Sequence, residues 1–299
     1  METILSNLNL IGNVAGIVLA FAVTTDGYAA GDQASGQVPN SSSATSSTVL
    51  RGGNHPDFSG MWTRGATATT PFRPPSSGAG PVLSVVATGT KTNDNGAVYR
   101  QGDYRAPILQ PWAAEVVRKH AESAHEGKPV RSAKETCWPM GVPYILELNL
   151  RAQIIDDDKQ IVFLYEELMD HRFVRLNAAH PANLQPSWYG DSVGHWEGDT
   201  LVVDTVGLNN RTWVDGFGTP HTDKIHVVER YHLRSPDTLE VLFTVEDPGA
   251  FTTPWSAIAT YRKDRSTSEP YTEVVCAENN RDDSTGNLYP IPIAQTPDF

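Results

Sequence analysis

Cysteine is scarce, with two in 299 residues. Two thiols cannot staple a small disulfide scaffold, and they cannot supply a four-thiolate zinc site. Positive charge is short as well. Lys and Arg number 23 against 35 Asp and Glu, which leaves a formal net charge of -12. Binding a phosphate backbone needs clustered basic side chains, so the balance argues against nucleic acid as a partner. The chain also lacks the basic amphipathic stretch that would hold it on an anionic membrane. Long apolar runs are missing. The longest, Ile11 to Val23, has thirteen residues, whereas a membrane-spanning helix needs about 20. There is no Rossmann glycine fingerprint, no βαβ alternation and no internal repeat. What is present, 39% hydrophobic residues spread along the chain, suffices for a sizeable core.

The thirteen-residue run suits the apolar region of a secretory signal. Thr24, Thr25 and Asp26 break it, and Gly27-Tyr28-Ala29 puts small residues at a cleavage site. Residues 1–29 are therefore expected to be a signal peptide, with a periplasmic or secreted product. Its leading region is atypical, with Glu2 and no Lys or Arg before the run. From Gly31 to Asn54, Ser, Gly, Thr and Ala dominate, so residues 30–54 read as a flexible linker. A single folded domain is expected over 55–299. In an oxidising compartment Cys137 and Cys276 can form one bridge; the other reading is two buried thiols.

Pro111 can open a helix and Gly127 can end it. Between them Ala113, Val116, Val117, Ala121 and Ala124 recur at helical spacing. Residues 65–110, rich in Gly, Pro, Ser and Thr, read as a long irregular excursion. Beyond Gly141 the period changes to two. Strands are expected at Gln160–Met169, Phe173–Asn177, Ser192–Trp196, Leu201–Val206, Ile225–Leu233, Leu239–Glu246, Trp255–Lys263 and Tyr271–Glu278. Asp156-Asp157-Asp158 reads as a solvated turn. Short turns at Glu197-Gly198-Asp199 and Ser235-Pro236-Asp237-Thr238 imply antiparallel neighbours.

Two resemblances add to this. Gly60-Met61-Trp62 resembles the opening signature of lipocalin-like barrels, where the Trp closes one end. The fold expected is all-β: an antiparallel lipocalin-like barrel, or a related sandwich, with one helix and long N-terminal loops. Pro56-Asp57-Phe58-Ser59-Gly60-Met61-Trp62 and the run from Gly190-Asp191-Ser192 through His195-Trp196-Glu197-Gly198-Asp199 to Asp204-Thr205 resemble a family of secreted bacterial proteins of unassigned function. That resemblance implies a secreted, β-rich domain and no particular reaction.

Alternation places Ile225, Val227, Glu229, Tyr231 and Leu233 on one strand face, and His226, Val228, Arg230 and His232 on the other. Glu229 should then point into the barrel, where a carboxylate must be paired or have its pKa raised. A raised pKa suits a general acid or base; the alternative is a buried Glu–Arg structural pair. Glu166 shares a face with Val162 and Leu164 and could complete a carboxylate pair. His226 or His221 would transfer protons, and Arg230 would orient charge. Tyr231, Trp196, Phe243 and Asp247 would line a substrate pocket or its mouth. Gly190-Asp191-Ser192-Val193-Gly194 matches the nucleophile-elbow pattern, but a β run follows it where a helix should. His221, His226 and Glu229 do not converge on one strand face, so no metal site is expected, and no cofactor is implied.

The function expected is a cofactor-independent lyase, isomerase or cyclase acting on a small hydrophobic molecule, aromatic or terpenoid, by acid–base chemistry in a dry pocket. A lipocalin-like binding protein without catalysis is the first alternative and a serine hydrolase using Ser192 the second. The sequence leaves a homo-oligomer open.

Overall fold

The computed structural model describes residues 50–51, 55–64, 72–92, 96, 98–133, 136–147, 151–166 and 169–266. The chain divides into Met1–Thr45 and Ser46–Phe299, and every described residue lies in the second unit. The expected signal peptide and the strand at Tyr271–Glu278 lie outside the described residues, as do residues 30–49 and 52–54 of the linker. Inside that linker segment, β1 (Leu50–Arg51) pairs with β2 (His55–Pro56).

In chain order there follow β3 (Gly60–Thr63), β4 (Ser84–Val85), β5 (Gln101–Gly102) and α1 (Pro111–His125). Then come β6 (Ala152–Asp157), β7 (Gln160–Tyr165), β8 (His171–Leu176), β9 (Asp191–Glu197) and β10 (Thr200–Val206). The last are β11 (His226–Ser235), β12 (Thr238–Glu246) and β13 (Trp255–Lys263). Nine strands close a barrel in the order β10-β11-β12-β13-β3-β6-β7-β8-β9. The architecture is a closed barrel of the kind the alternating pattern and the Gly60-Met61-Trp62 resemblance implied, with one long helix among the described residues. One contact departs from an all-antiparallel scheme: β8 and β9 run parallel, with Val174 opposite Ser192. Parallel neighbours need a crossover of about a dozen residues, and residues 177–190 supply it.

The strands form for the reason the sequence suggested. In β12, Leu239, Val241, Phe243 and Val245 are buried and the residues between them are not. Each such side chain contributes about 1.5–3 kcal/mol on leaving water. The barrel seam is shortest between β13 and β3, with only two residue pairs. Arg73 lengthens it by exchanging backbone hydrogen bonds with Ile258 at 3.1 and 2.8 Å.

Helix α1 starts at Pro111, and Gly127 follows its end with φ +76°. It buries Ala113, Val117, Ala121 and Ala124. Gly102 permits close approach there, because a Cβ on it would lie 2.9 Å from Phe217 and 3.0 Å from Val117. The helix is tied to the β12–β13 loop by Trp112 Nε1–H donating to Gly249 O at 2.7 Å. No helix among the described residues is long and apolar enough to cross a membrane.

Two local expectations change. Ala152–Asp157 is a full strand where only a turn was anticipated, and Asp156 is buried rather than solvated. The strand from Gln160 stops at Tyr165, four residues early. The disulfide expectation holds at the end that is described: Cys137 is disulfide-bonded and no free cysteine is found among the described residues, while Cys276 lies outside them.

Candidate functional site

Strand alternation builds a polar cluster inside the barrel. Arg172 on β8 and Glu229 on β11 have side chains 1% and 0% exposed. The guanidinium grips the carboxylate with both ends, Nη1 to Oε1 at 3.0 Å and Nη2 to Oε2, the two-pronged geometry of strong Arg–carboxylate pairs. Its remaining donors reach Ser192 Oγ at 3.0 Å and Thr205 Oγ1 at 2.6 Å. Tyr231 O–H donates to Glu229 Oε1 at 2.7 Å. Burial by itself would lower the pKa of Arg172, but the Glu229 carboxylate more than offsets it and holds the guanidinium above its ordinary value.

Beside this cluster lies a cavity of about 20 Å³ lined by Trp62, Leu146, Ala152, Ile154, Phe163, Tyr165, Tyr231, Leu239 and Tyr261. That is room for about one water, far below the roughly 300 Å³ of a small-molecule pocket. Eight lining residues come from barrel strands. Leu146 does not; it belongs to a 3-10 turn, Tyr144–Glu147, whose four residues are all buried. Tyr261 O–H and Arg64 Nη1–H hold the Leu146 carbonyl at 2.9 and 3.0 Å. Burial pushes the hydroxyls of Tyr165, Tyr231 and Tyr261 above the usual phenol range. All three therefore remain proton donors near neutral pH.

The expected catalytic set does not converge. Glu229 points inward as alternation required, but its partner is Arg172. Arg230 faces outward and pairs with Glu197 at 2.6 Å. Glu166 sits just past β7 against Arg151, Nη2 to Oε1 at 2.6 Å, so the two carboxylates serve different arginines. His226 is on the outer face, where His226 Nε2 and His180 Nε2 lie 3.0 and 3.1 Å from Asp204 Oδ1. His180 Nδ1 is 2.6 Å from Asp191, and Glu246 lies 3.6 Å from His226 Nδ1.

His221 belongs to the loop between β10 and β11. Its Nδ1–H donates to Thr222 O at 2.8 Å, so Nε2 accepts from Thr212 O–H at 3.0 Å. Burial lowers its pKa and keeps it neutral. Asp247 shapes a turn by accepting from Thr222 and Gly249. Trp196 stacks on His55 with centroids 4.0 Å apart, and Phe243 packs edge-on against Phe72. Of the expected pocket residues, Tyr231 alone lines the cavity. Ser192 is buried on a strand with Arg172 and Thr205 as partners, which leaves it no histidine base. Among the described residues no group of three or more His, Cys, Asp or Glu is arranged to hold a metal ion.

Sequence reasoning missed Arg172, Tyr165 and Asp215. Arg172 was hidden because β8 buries Arg172 and exposes Phe173 by 51%, the reverse of their hydrophobicity. The register Val162 opposite Phe173 is a tertiary fact that no local pattern encodes. Asp215 accepts from Phe217 and Thr219 N–H at 2.9 and 3.1 Å. Burial, and then the Glu147 carboxylate, nevertheless push its pKa up to about 6.

No family model matches the chain, and no curated protein matches it. A solved structure, the crystal structure of a mutant of the fluorescent protein UnaG, is similar over 39% of this chain and 72% of that one. The identity is 14% and the TM-score 0.24, a likeness too slight to bear on function.

Proposed function

We propose that this barrel binds a small hydrophobic molecule and releases it unchanged. The observation that carries the reading is the aromatic-lined cavity inside a closed barrel whose inward-facing strand carboxylate, Glu229, is spent on Arg172 and Tyr231. A general acid or base must reach the substrate with a proton to exchange. His226 lies on the outer face, and His221 has both ring nitrogens engaged. What remains at the cavity is apolar surface and hydroxyl groups, the lining of a binding site.

The test incubates the full chain with a lipophilic small-molecule extract, re-isolates it, and identifies bound and free compounds by mass spectrometry. Stoichiometric recovery of an unchanged compound is expected. Consumption of a compound in large excess over protein, abolished in Glu229→Gln, would overturn the reading in favour of a lyase or isomerase.

A further inference from the structure

Four residues that line the cavity carry polar atoms, and their hydrogen bonds can be accounted for one by one. Trp62 Nε1–H donates to Phe58 O at 2.8 Å. Tyr231 O–H donates to Glu229, and Tyr261 O–H to Leu146 O. Tyr165 is the exception. It is 6% exposed, and its hydroxyl is buried with no hydrogen-bond acceptor among the described residues. The nearby Arg172 guanidinium offers only N–H groups, so it cannot accept the Tyr165 proton. A buried donor without an acceptor is costly, and buried polar groups in folded proteins are seldom left so.

We propose that Tyr165 is the ligand-orienting donor of the barrel, and that its ligand is a neutral, largely apolar molecule with one hydrogen-bond acceptor, such as a ketone, admitted by displacement of Leu146. This rests on the binding reading above. Neutrality follows from the charge beside the Tyr165 hydroxyl. Arg172 there is already matched by Glu229, and Arg64, at the Leu146 end of the cavity, is turned onto the Leu146 carbonyl. An anionic group seated on Tyr165 would therefore carry a buried charge without a cation of its own. The aromatic walls supply the apolar contact, and the Tyr165 proton supplies the one directional bond. Space comes from Leu146. It is the only lining residue that does not belong to a barrel strand, and two hydrogen bonds to its carbonyl hold the turn in place.

Three probes with the same ring system test this by equilibrium dialysis: 2-acetylnaphthalene, 2-ethylnaphthalene and 2-naphthoate. The proteins are the full chain, Leu146→Ala and Tyr165→Phe, each checked for fold by circular dichroism. The ketone should bind the full chain about tenfold tighter than the ethyl compound, the worth of one net hydrogen bond in a dry site. Tyr165→Phe should erase that difference without weakening the ethyl compound. Leu146→Ala should tighten both neutral probes and keep their ratio. Equal affinities for the ketone and the ethyl compound in the full chain and in Leu146→Ala would overturn the role of Tyr165 while leaving the binding reading intact. Tightest binding of 2-naphthoate would overturn the neutral class. Failure of all three probes to bind the full chain and Leu146→Ala would bring down the binding reading and this inference together.

Discussion

The barrel carries charge in two places, and they differ in kind. Inside, Arg172 and Glu229 are nearly or fully buried and share a closed set of partners with Ser192, Thr205 and Tyr231. Outside, His180, Asp191, Asp204, His226 and Glu246 form a chain of contacts of similar length on a wet surface. Distances alone would rank the two clusters together. Solvent separates them. A buried pair cannot replace a lost partner with water, whereas a surface pair can.

The largest effect should come from halving the inner pair. Arg172→Met leaves the Glu229 charge buried and should cost about 3–5 kcal/mol of unfolding free energy in urea. The double variant Arg172→Met/Glu229→Leu should recover most of that loss. A loss under about 1 kcal/mol in the single variant would place both clusters in one class and break the comparison. Next comes the apolar side of the interior. Leu146→Ala should cost about 2–5 kcal/mol, set by how far the cavity collapses, and urea unfolding reads it as well.

Asp215 sharpens the contrast through pH. Its pKa in the fold is about 6, against an ordinary value of 3.8. A raised carboxyl pKa means that the unfolded chain gives up the proton first as pH rises. The stabilisation from this group is therefore complete below about pH 4 and is lost as pH climbs through about 6. The loss is up to about 3 kcal/mol. Asp215→Asn should flatten that part of the Tm–pH profile, and an unchanged slope between pH 4 and 7 would remove Asp215 as its source. The smallest effect belongs to the outer cluster. His226→Ala should cost under about 1 kcal/mol, and most of that should vanish in 1 M salt. A salt-independent loss of several kcal/mol would make the outer cluster the equal of the inner one.

Legibility followed periodicity. Strands β11 to β13 and helix α1 were readable because each buries one face, which gives a clean period of two or of about 3.6. Strand β7 was expected from Gln160, but which of its faces turns inward was not readable, because Ile161, Val162 and Phe163 are all buried. A strand buried on both faces carries no parity, so Val162 and Leu164 were placed inward when Phe163 and Tyr165 line the cavity. The error carried Glu166 with it and hid Tyr165. In β8 the polarity is inverted, and no rule based on hydrophobicity could have turned Arg172 inward.

By itself the sequence determined that Glu229 and Tyr231 face the interior, since alternation along one strand is a local property of the backbone. The same alternation puts Arg230 on the opposite face from Glu229, against its expected charge-orienting role. Only the tertiary structure decided which arginine would serve Glu229. Barrel closure brings β8 across the interior from β11, so that Arg172, 57 residues away in sequence, meets Glu229. That pairing matches the two charges buried there and leaves Tyr165 as the one lining hydroxyl without an acceptor among the described residues.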